Sequence, residues 1–419
     1  MVVVQDSLCC HSNSKDEEDQ QHSESSFLSS QPSLPSVPSL ALTPQQPQTT
    51  HHKLLATVKS HTAHTAPISS LALHAKSLFS ASSNGQIQAC TRHPFTLQTS
   101  TVRDPTSINN IPNINFVVQT SNAPIKHLIF SHDDTMFTAH QDHKIRVWKT
   151  DHTNANYKCV ATLPTFQDRF SKLFSSNNYV EIRRHKKTTW VHHVDAVSAL
   201  ALSQDSSLLY SASWDTTFKI WRTSDFRCLE SVKNAHDDAI NSLVLSSDNV
   251  VYTGSADTKI KMWKKRDGEK KHSLISTLEK HKSAVNALAL SGDGSVLYSG
   301  ACDRSILVWE NDENKNMVVV GALRGHTKAI LCLVVVDDLV CSGSADNSVR
   351  IWRRGVEEKG YSCLAVLEGH TRPVKCLAMA VDSNSGGPHD ESSKSYLLYT
   401  AGLDCHIKVW QIRLPLQGL

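Results

Sequence analysis

From about residue 54 onward, apolar and polar positions alternate over short runs: ISSLAL, IKHLIF, VSALAL, INSLVL, VNALAL, ILCLVV and VKCLAM. Each run is followed by a turn and then a second run, such as LLYSAS, VVYTGS, VLYSG or LVCSGS. A third run, such as KIRVW or SVRIW, comes next, and a fourth (LISTL, VVGAL, CLAVL) follows the Trp that ends the third. Alternation with a period of two, punctuated by turn residues, predicts β-strands rather than helices. Gly292-Asp293-Gly294 marks one tight turn between the first two strands of its unit.

The units recur. Six third strands end with an Asp, five residues, then a Trp: Asp142/Trp148, Asp215/Trp221, Asp257/Trp263, Asp303/Trp309, Asp346/Trp352 and Asp404/Trp410. A worn first copy carries Asn84 and Cys90 at those two positions, so Cys90 is expected to leave the first unit the least rigid. From Trp221 through Trp263 and Trp309 to Trp352 the spacing stays between 42 and 46 residues. Four short strands in each unit of that length predict an all-β, seven-bladed propeller spanning residues 51–414. Too few residues follow Trp410 for another strand, whereas LLATVKSH (54–61) reads like a fourth strand. Residues 54–58 are therefore expected to complete the last blade and remove an open edge.

Residues 1–50 differ in composition. They are rich in Ser, Pro and Gln, with one acidic run at Asp16–Asp19, and are expected to be a disordered tail. Thr43-Pro44 in that tail fits a proline-directed phosphorylation site, a signal of two residues only. Two long gaps interrupt the repeat. One holds an insertion at about 165–189, and the other holds the polar stretch DSNSGGPHDESSKS inside the last unit. In the insertion, Phe166, Phe170 and Phe174 at intervals of four predict a short amphipathic helix. Arg183, Arg184, Lys186 and Lys187 then form a basic patch, which reads as a solvated loop, a dock for an acidic partner or import factor, or a nucleic-acid contact. Four charges give only a modest salt-dependent term, so the last reading is the weakest. The side of the ring that carries the insertion depends on whether YKCVATL or TTWVHH is the fourth strand of its unit.

Composition narrows the function classes. The chain has 419 residues, 43 Lys plus Arg against 40 Asp plus Glu, and a net charge of +3, which argues against bulk binding to nucleic acid or membrane. Eleven cysteines lie scattered with no CxxC pair, as expected of buried thiols in a reducing compartment rather than of disulfides or a zinc site. No apolar run is long enough to span a membrane, MVVVQDSLCC lacks a secretory n-region, and Val2 stands where myristoylation needs Gly. A cytoplasmic and nuclear protein is expected.

The polar repeat resembles the WD40 repeat family over residues 54–414. Four residues before each Asp (or Asn84) stands a hydroxyl: Ser80, Thr138, Ser211, Thr253, Ser299, Ser342 and Thr400. About twenty residues before the Asp stands a His: His64, His193, His236, His281, His326 and His370, with Ser121 in the second unit. Gly325-His326 and Gly369-His370 carry the family's dipeptide. The resemblance implies that Asp, His, hydroxyl and Trp link in a buried hydrogen-bond chain. Ser, His and Asp together also suggest a catalytic triad, but a set repeated in six or seven units reads as scaffold, and no enzyme, cofactor or metal is expected. No repeat-ending Trp is followed by Asp, so the Trp-Asp-x-Arg ending of many ubiquitin-ligase receptors is missing, which lowers a substrate-adaptor role.

In this family, partners bind the end carrying the fourth-to-first and second-to-third strand loops. Matching positions are Lys126, Asn241, Asn286, Leu331 and Lys375 in the first kind of loop, and Gln141, Trp214, Cys302 and Leu403 in the second. Trp214 is the strongest candidate, because other units carry small residues such as Ala256 and Ala345 there. The wording DRFSKLFSSNNYVEIRRHKKTTWVHHVDAVSALALS, with SASWDTTFKIWR, resembles the plant Jingubang-like WD40 proteins. That resemblance implies a non-enzymatic, monomeric scaffold that binds other proteins, transcription factors among them, in pollen or growth control. A nucleic-acid module using the basic insertion is the alternative.

Overall fold

The computed structural model describes residues 37–40, 50–58, 65–92, 114–119, 123–151, 156–173, 179–183, 186–266, 268–314, 316–355, 360–382 and 393–415. Seven four-stranded antiparallel sheets form a β-propeller, each sheet one blade, with strands a to d running from the centre outward. Blade 3 is typical: 3a Val197–Leu202, 3b Leu208–Ser213, 3c Phe218–Arg222 and 3d Cys228–Val232. In blade 7 the outer strand is the first of the described strands, His51–Val58, which pairs antiparallel with the last of them, Ile407–Pro415. Both ends of the propeller thus share one sheet.

The alternation seen in the sequence is used twice, because each blade buries both faces against its neighbours. Tyr210, Phe218 and Ile220 of blade 3 pack on Ile240, Leu243 and Trp263 of blade 4. Strand b, flanked on all sides, is buried over nearly its whole length in every blade. Each large side chain enclosed this way contributes about 1.5–3 kcal/mol of hydrophobic stabilisation.

A β-bulge opens every a–b pair, at Ile68/Ser70, Ile125/His127, Val197/Ala199, Ile240/Ser242, Val285/Ala287, Ile330/Cys332 and Val374/Cys376. The bulges aim side chains at the next blade. Ser69 donates to Ile125 O, Ser198 to Ile240 O, Asn241 to Val285 O (3.0 Å) and Asn286 to Ile330 O (2.9 Å). The remaining junctions use the following residue. Leu200 N donates to His127 Nδ1 (3.3 Å), Cys332 Sγ to Val374 O and Cys376 Sγ to Ile68 O. All seven blade junctions are stitched near the central axis.

The insertion leaves blade 2 after its outer strand, Asn156–Leu163, so YKCVATL is that fourth strand. It comprises the helix α1 (Phe166–Leu173) and a hairpin, Tyr179–Arg183 with Lys186–Thr189. Thr165 caps α1 by accepting from Asp168 N at 3.2 Å. The buried Asp168 carboxylate then accepts from Cys228 N at 2.9 Å, which fastens α1 to the outer strand of blade 3. The side of the first turn that carries Asp168 is therefore held inward. Phe166 and Phe170 stack at 6.0 Å and are 78% and 51% exposed. Phe174 lies outside the described residues.

Most of residues 1–50 also lie outside the described residues, as do His64, Ser121, Arg184 and most of the polar stretch within blade 7. Within the tail, Val37–Leu40 are described and lie against the propeller wall.

Replacing Ser299 by Ala should lower stability by about 1–3 kcal/mol, because it leaves two buried groups, the Trp309 indole N–H and a His281 ring nitrogen, without their partner. Ser299→Thr should recover most of the loss, since Thr253 and Thr400 serve in the same role. Chemical denaturation of the three proteins measures both effects.

Candidate interaction face

The turn between strands b and c sets the geometry of one end of the ring. The residue after each Asp (or Asn84) has a positive φ in all seven units: Gly85, His143, Thr216, Thr258, Arg304, Asn347 and Cys405. For six non-glycine residues this left-handed conformation is costly and needs outside support. In blades 3–7 the Asp supplies it, one carboxylate oxygen accepting from the amide two residues on at 2.9–3.2 Å. The other oxygen accepts from the amide after the loop His at 2.9–3.2 Å. Asn84 does the first of these jobs in blade 1, accepting from Gln86 N at 3.2 Å.

The same Asp anchors the buried chain. In blades 3–7, His Nδ1–H donates to the Asp at 2.7–2.9 Å. His Nε2 then accepts from the Ser or Thr hydroxyl at 2.8 Å. That oxygen in turn accepts from the Trp indole at 2.8–3.2 Å. The assigned direction leaves every member satisfied with a neutral His. Ser211, Thr253, Ser299, Ser342 and Thr400 are 0% exposed, so no substrate reaches these hydroxyls. Among the described residues no cluster of three His, Cys, Asp or Glu is placed to hold a metal.

Blade 2 solves the problem differently. Its hydroxyl, Thr138, accepts from the Trp148 indole at 2.9 Å and meets His140 Nε2 at 2.8 Å. His140 lies on strand 2b itself (Met136–His140) and is fully buried. Asp142, relieved of a loop His, takes a two-pronged contact from Arg146 at 3.1 and 2.6 Å. His140 could be read from the sequence only as an unusual His two residues before the Asp.

The nine face candidates are all half-buried. Lys126, Asn241, Asn286, Leu331 and Lys375 are the bulge residues of strands 2a and 4a–7a. Gln141, Trp214, Cys302 and Leu403 precede the Asp, and their amides donate to the residue ahead of strand a: Pro124 O, Ala196 O, Ala284 O and Pro373 O. Both kinds of position therefore share one end of the ring. Asn241 and Asn286 use their amides to stitch blades, as do Ser69 and Ser198 at the same register, which the sequence reading did not single out. At blades 2, 6 and 7 the bulge residue is Lys126, Leu331 or Lys375 instead.

Four candidates come together. The Lys126 ammonium lies 4.8 Å from the centroid of the Trp214 ring, across the junction of blades 2 and 3. Lys126, Lys375 and Leu403 line one recess beside Ser69. Its volume is ≈ 10 Å³, space for about one water where a small-molecule site needs ~300 Å³ or more. This sector of the end thus offers an aromatic plate, Trp214, under the Lys126 ammonium, with Lys375 bordering the recess on the other side. In the basic patch, the backbones of Arg183, Lys186 and Lys187 lie on the insertion hairpin, and Arg184 lies outside the described residues.

Titration follows burial. Burial pushes His127 and His140 down to about 4. In Asp257 and Asp303 burial is the largest single effect and works upward, but the hydrogen bonds and charge of His236 and His281, together with hydrogen bonds from neighbouring amides, outweigh it and hold both at about 2. Burial raises the Cys341 thiol to about 12, which leaves it unreactive.

The pH dependence of stability follows from these shifts. An unfolded His protonates near pH 6.5, whereas buried His127 and His140 stay neutral to about 4. The unfolded chain thus binds more protons in that window, and stability falls as pH drops. Asp257 and Asp303, depressed in the folded chain, add a second loss that starts near pH 4 and completes at about 2. The thermal midpoint should decline from about pH 6.5 and steepen below about 4. His140→Gln should weaken only the upper phase, and an unchanged midpoint from pH 7 to 5 would contradict the neutral burial of these histidines.

The model for the WD domain, G-beta repeat, matches residues 115–149, 184–222, 226–264, 272–310, 317–353 and 361–411. The chain is 27% identical over 173 residues to pre-mRNA-processing factor 17 of Saccharomyces cerevisiae, covering 37% of each chain. It is 25% identical over 180 residues to a ribosome biogenesis protein, the WDR12 homolog of Trichoplax adhaerens, covering 38% of this chain and 40% of the relative. It is 28% identical over 81 residues to a 66 kDa stress protein of Physarum polycephalum, covering 19% and 14%. The alignments thus span well under half the length of these relatives.

Proposed function

The chain belongs to the WD40 repeat family, and from that premise we propose that it is a non-catalytic protein-interaction scaffold whose docking sector is the Trp214 end of blades 7, 1, 2 and 3. The observation that carries the proposal is the Lys126–Trp214 pair. The side chain of this partly exposed Trp stands in a turn where two other units carry only Ala, so the blade does not need it, yet Trp is the residue type that dominates interface energy. The Lys126 ammonium beside it, and Lys375 across the recess that Lys126 also lines, suit a partner segment that pairs an apolar side chain with carboxylates.

The finer role rests on resemblance. The insertion and the SASWDTTFKIWR stretch support a regulator of the plant Jingubang-like kind, which binds transcription factors and other proteins in growth or pollen development. Two relatives are named for pre-mRNA processing and ribosome biogenesis, which supports work inside a larger assembly in the nucleus. No helix among the described residues is long and apolar enough to cross a membrane. The basic hairpin supports a second reading, a nucleic-acid contact. An electrophoretic shift abolished by neutralising Arg183, Arg184, Lys186 and Lys187 would favour that reading over the scaffold.

Trp214→Ala should leave the melting temperature within ~2 °C while weakening partner capture by at least about tenfold. Quantitative affinity capture from the native tissue, run with wild type, Trp214→Ala and an insertion-hairpin variant, separates the two surfaces. A large loss of thermal stability in Trp214→Ala would mark the side chain as core and sink the assignment.

A further inference from the structure

Val37–Leu40 lie across the outer strand of blade 5, 5d (Met317–Leu323), and reach that of blade 6, 6d (Tyr361–Leu367). Leu40 N donates to Ala322 O at 3.0 Å and Ala322 N donates to Pro38 O at 2.9 Å, a parallel bridge centred on Ser39. On the other side, Tyr361 N donates to Leu40 O at 2.8 Å. The Arg324 guanidinium donates to Val37 O at 2.8 Å. Pro38 sits where only a carbonyl is used, so its missing N–H costs nothing.

Two side chains anchor the segment. Val37 is 3% exposed in the apolar cluster shared by blades 4 and 5, with Tyr252, Trp309 and Met317. Leu40 packs on the cluster shared by blades 5 and 6, with Tyr298 and Tyr361. Gly321 makes room for it, since a Cβ there would collide with Leu40 Cγ. The site is thus a notch floored by Gly321, an exposed strand edge and an arginine, all read through main-chain groups and two apolar side chains.

We propose that this cleft is a peptide-docking site for an extended apolar-Pro-polar-Leu segment of a partner protein, and that Val37–Leu40 is its resident intramolecular occupant. Outer strands of a propeller are edges, and edges accept added strands. The occupant itself shows which chemistry fits. It contributes four main-chain hydrogen bonds and two short apolar anchors, a contact set small enough for a partner to reproduce and displace. The tether to Thr50, whose hydroxyl donates to Leu364 O of 6d at 2.9 Å, keeps the occupant close. A tethered occupant acts at an effective concentration on the order of millimolar, so a free segment is outcompeted until the tethered one lets go. The cleft lies on the wall of the ring, apart from the Trp214 end.

The test uses the full-length chain and a fluorescein-labelled synthetic peptide with the sequence of residues 34–43, followed by fluorescence anisotropy. Val37→Asp with Leu40→Asp frees the cleft. This double variant should bind the peptide at least about tenfold more tightly than wild type, with an unchanged far-ultraviolet spectrum. Adding Gly321→Val should abolish that binding. Adding Arg324→Ala, a milder change, should weaken it several-fold and serves if Gly321→Val does not fold. Equal affinity for wild type and the double variant, or no saturable binding to the double variant, overturns the proposal. A wild-type dimer in sedimentation that the double variant dissolves would also overturn it, because the segment would then be exchanged between copies.

Discussion

Seven open sheets make a ring only if each inner strand is held to the next, and here the bulge at the start of strand a provides the hold. In six blades it turns a carbonyl toward the preceding blade, where a side chain reaches it, and at the blade 2–blade 3 junction a backbone amide takes that place. Ser69, Ser198, Asn241 and Asn286 use that reach. At the other junctions the next residue, His127, Cys332 or Cys376, makes the link. The bulge side chain is then released from scaffold duty. The released positions are Lys126, Leu331 and Lys375, and two of them border the recess beside Trp214. The following residue also stitches where the bulge residue does, as Ser70 and Ser242 show, so the bulge side chain can vary without opening a junction.

The Asp-centred hydrogen-bond chain works one layer further out. Six of the seven b–c turns force a non-glycine residue into the left-handed region, a cost of the order of 1–2 kcal/mol each. An Asp that accepts from two backbone amides and a buried His offsets that cost and fixes where the preceding residue projects. Blade 2 shows that the demand is physical and not tied to one residue pattern. When the loop His is missing, a strand His satisfies Thr138 and an Arg satisfies Asp142. Trp214 sits in a turn held by Asp215, which is itself buried, and by the left-handed Thr216.

The architecture was legible because alternation and the Asp-to-Trp spacing are local, repeated signals. Seven hydroxyls in register count seven blades even though Cys90 replaces one Trp. What stayed hidden depends on neighbours in space. Nothing in the string distinguishes Asn241, which stitches blades, from Lys375, which does not, until the carbonyl of the next blade is located. His140 was invisible as a network member because its role moved from a loop to a strand. The three-Phe pattern of the insertion predicted a short amphipathic helix but not which way its apolar face points. Asp168, buried against Cys228 N, turns the helix so that Phe166 and Phe170 face out. Composition averaged over fifty residues also could not single out four that fit a notch.

Those four residues bear on how the ring is closed. The first of the described strands pairs with the last in blade 7, so that blade's outer strand is held by one antiparallel pairing, His51–Val58 with Ile407–Arg413. Fraying concentrates at chain ends, and an end strand held by one neighbour is the natural place for a propeller to open. Thr50 on 6d and Leu40 between 5d and 6d extend the attachment of that end strand across two more blades. Peeling the closing strand from one side therefore begins with release of the segment bound on the wall. The occupancy of the wall cleft and the integrity of the ring are coupled through a single stretch of chain. Ile407 and Val409, with which the closing strand pairs, pack in turn in the cluster shared by blades 7 and 1.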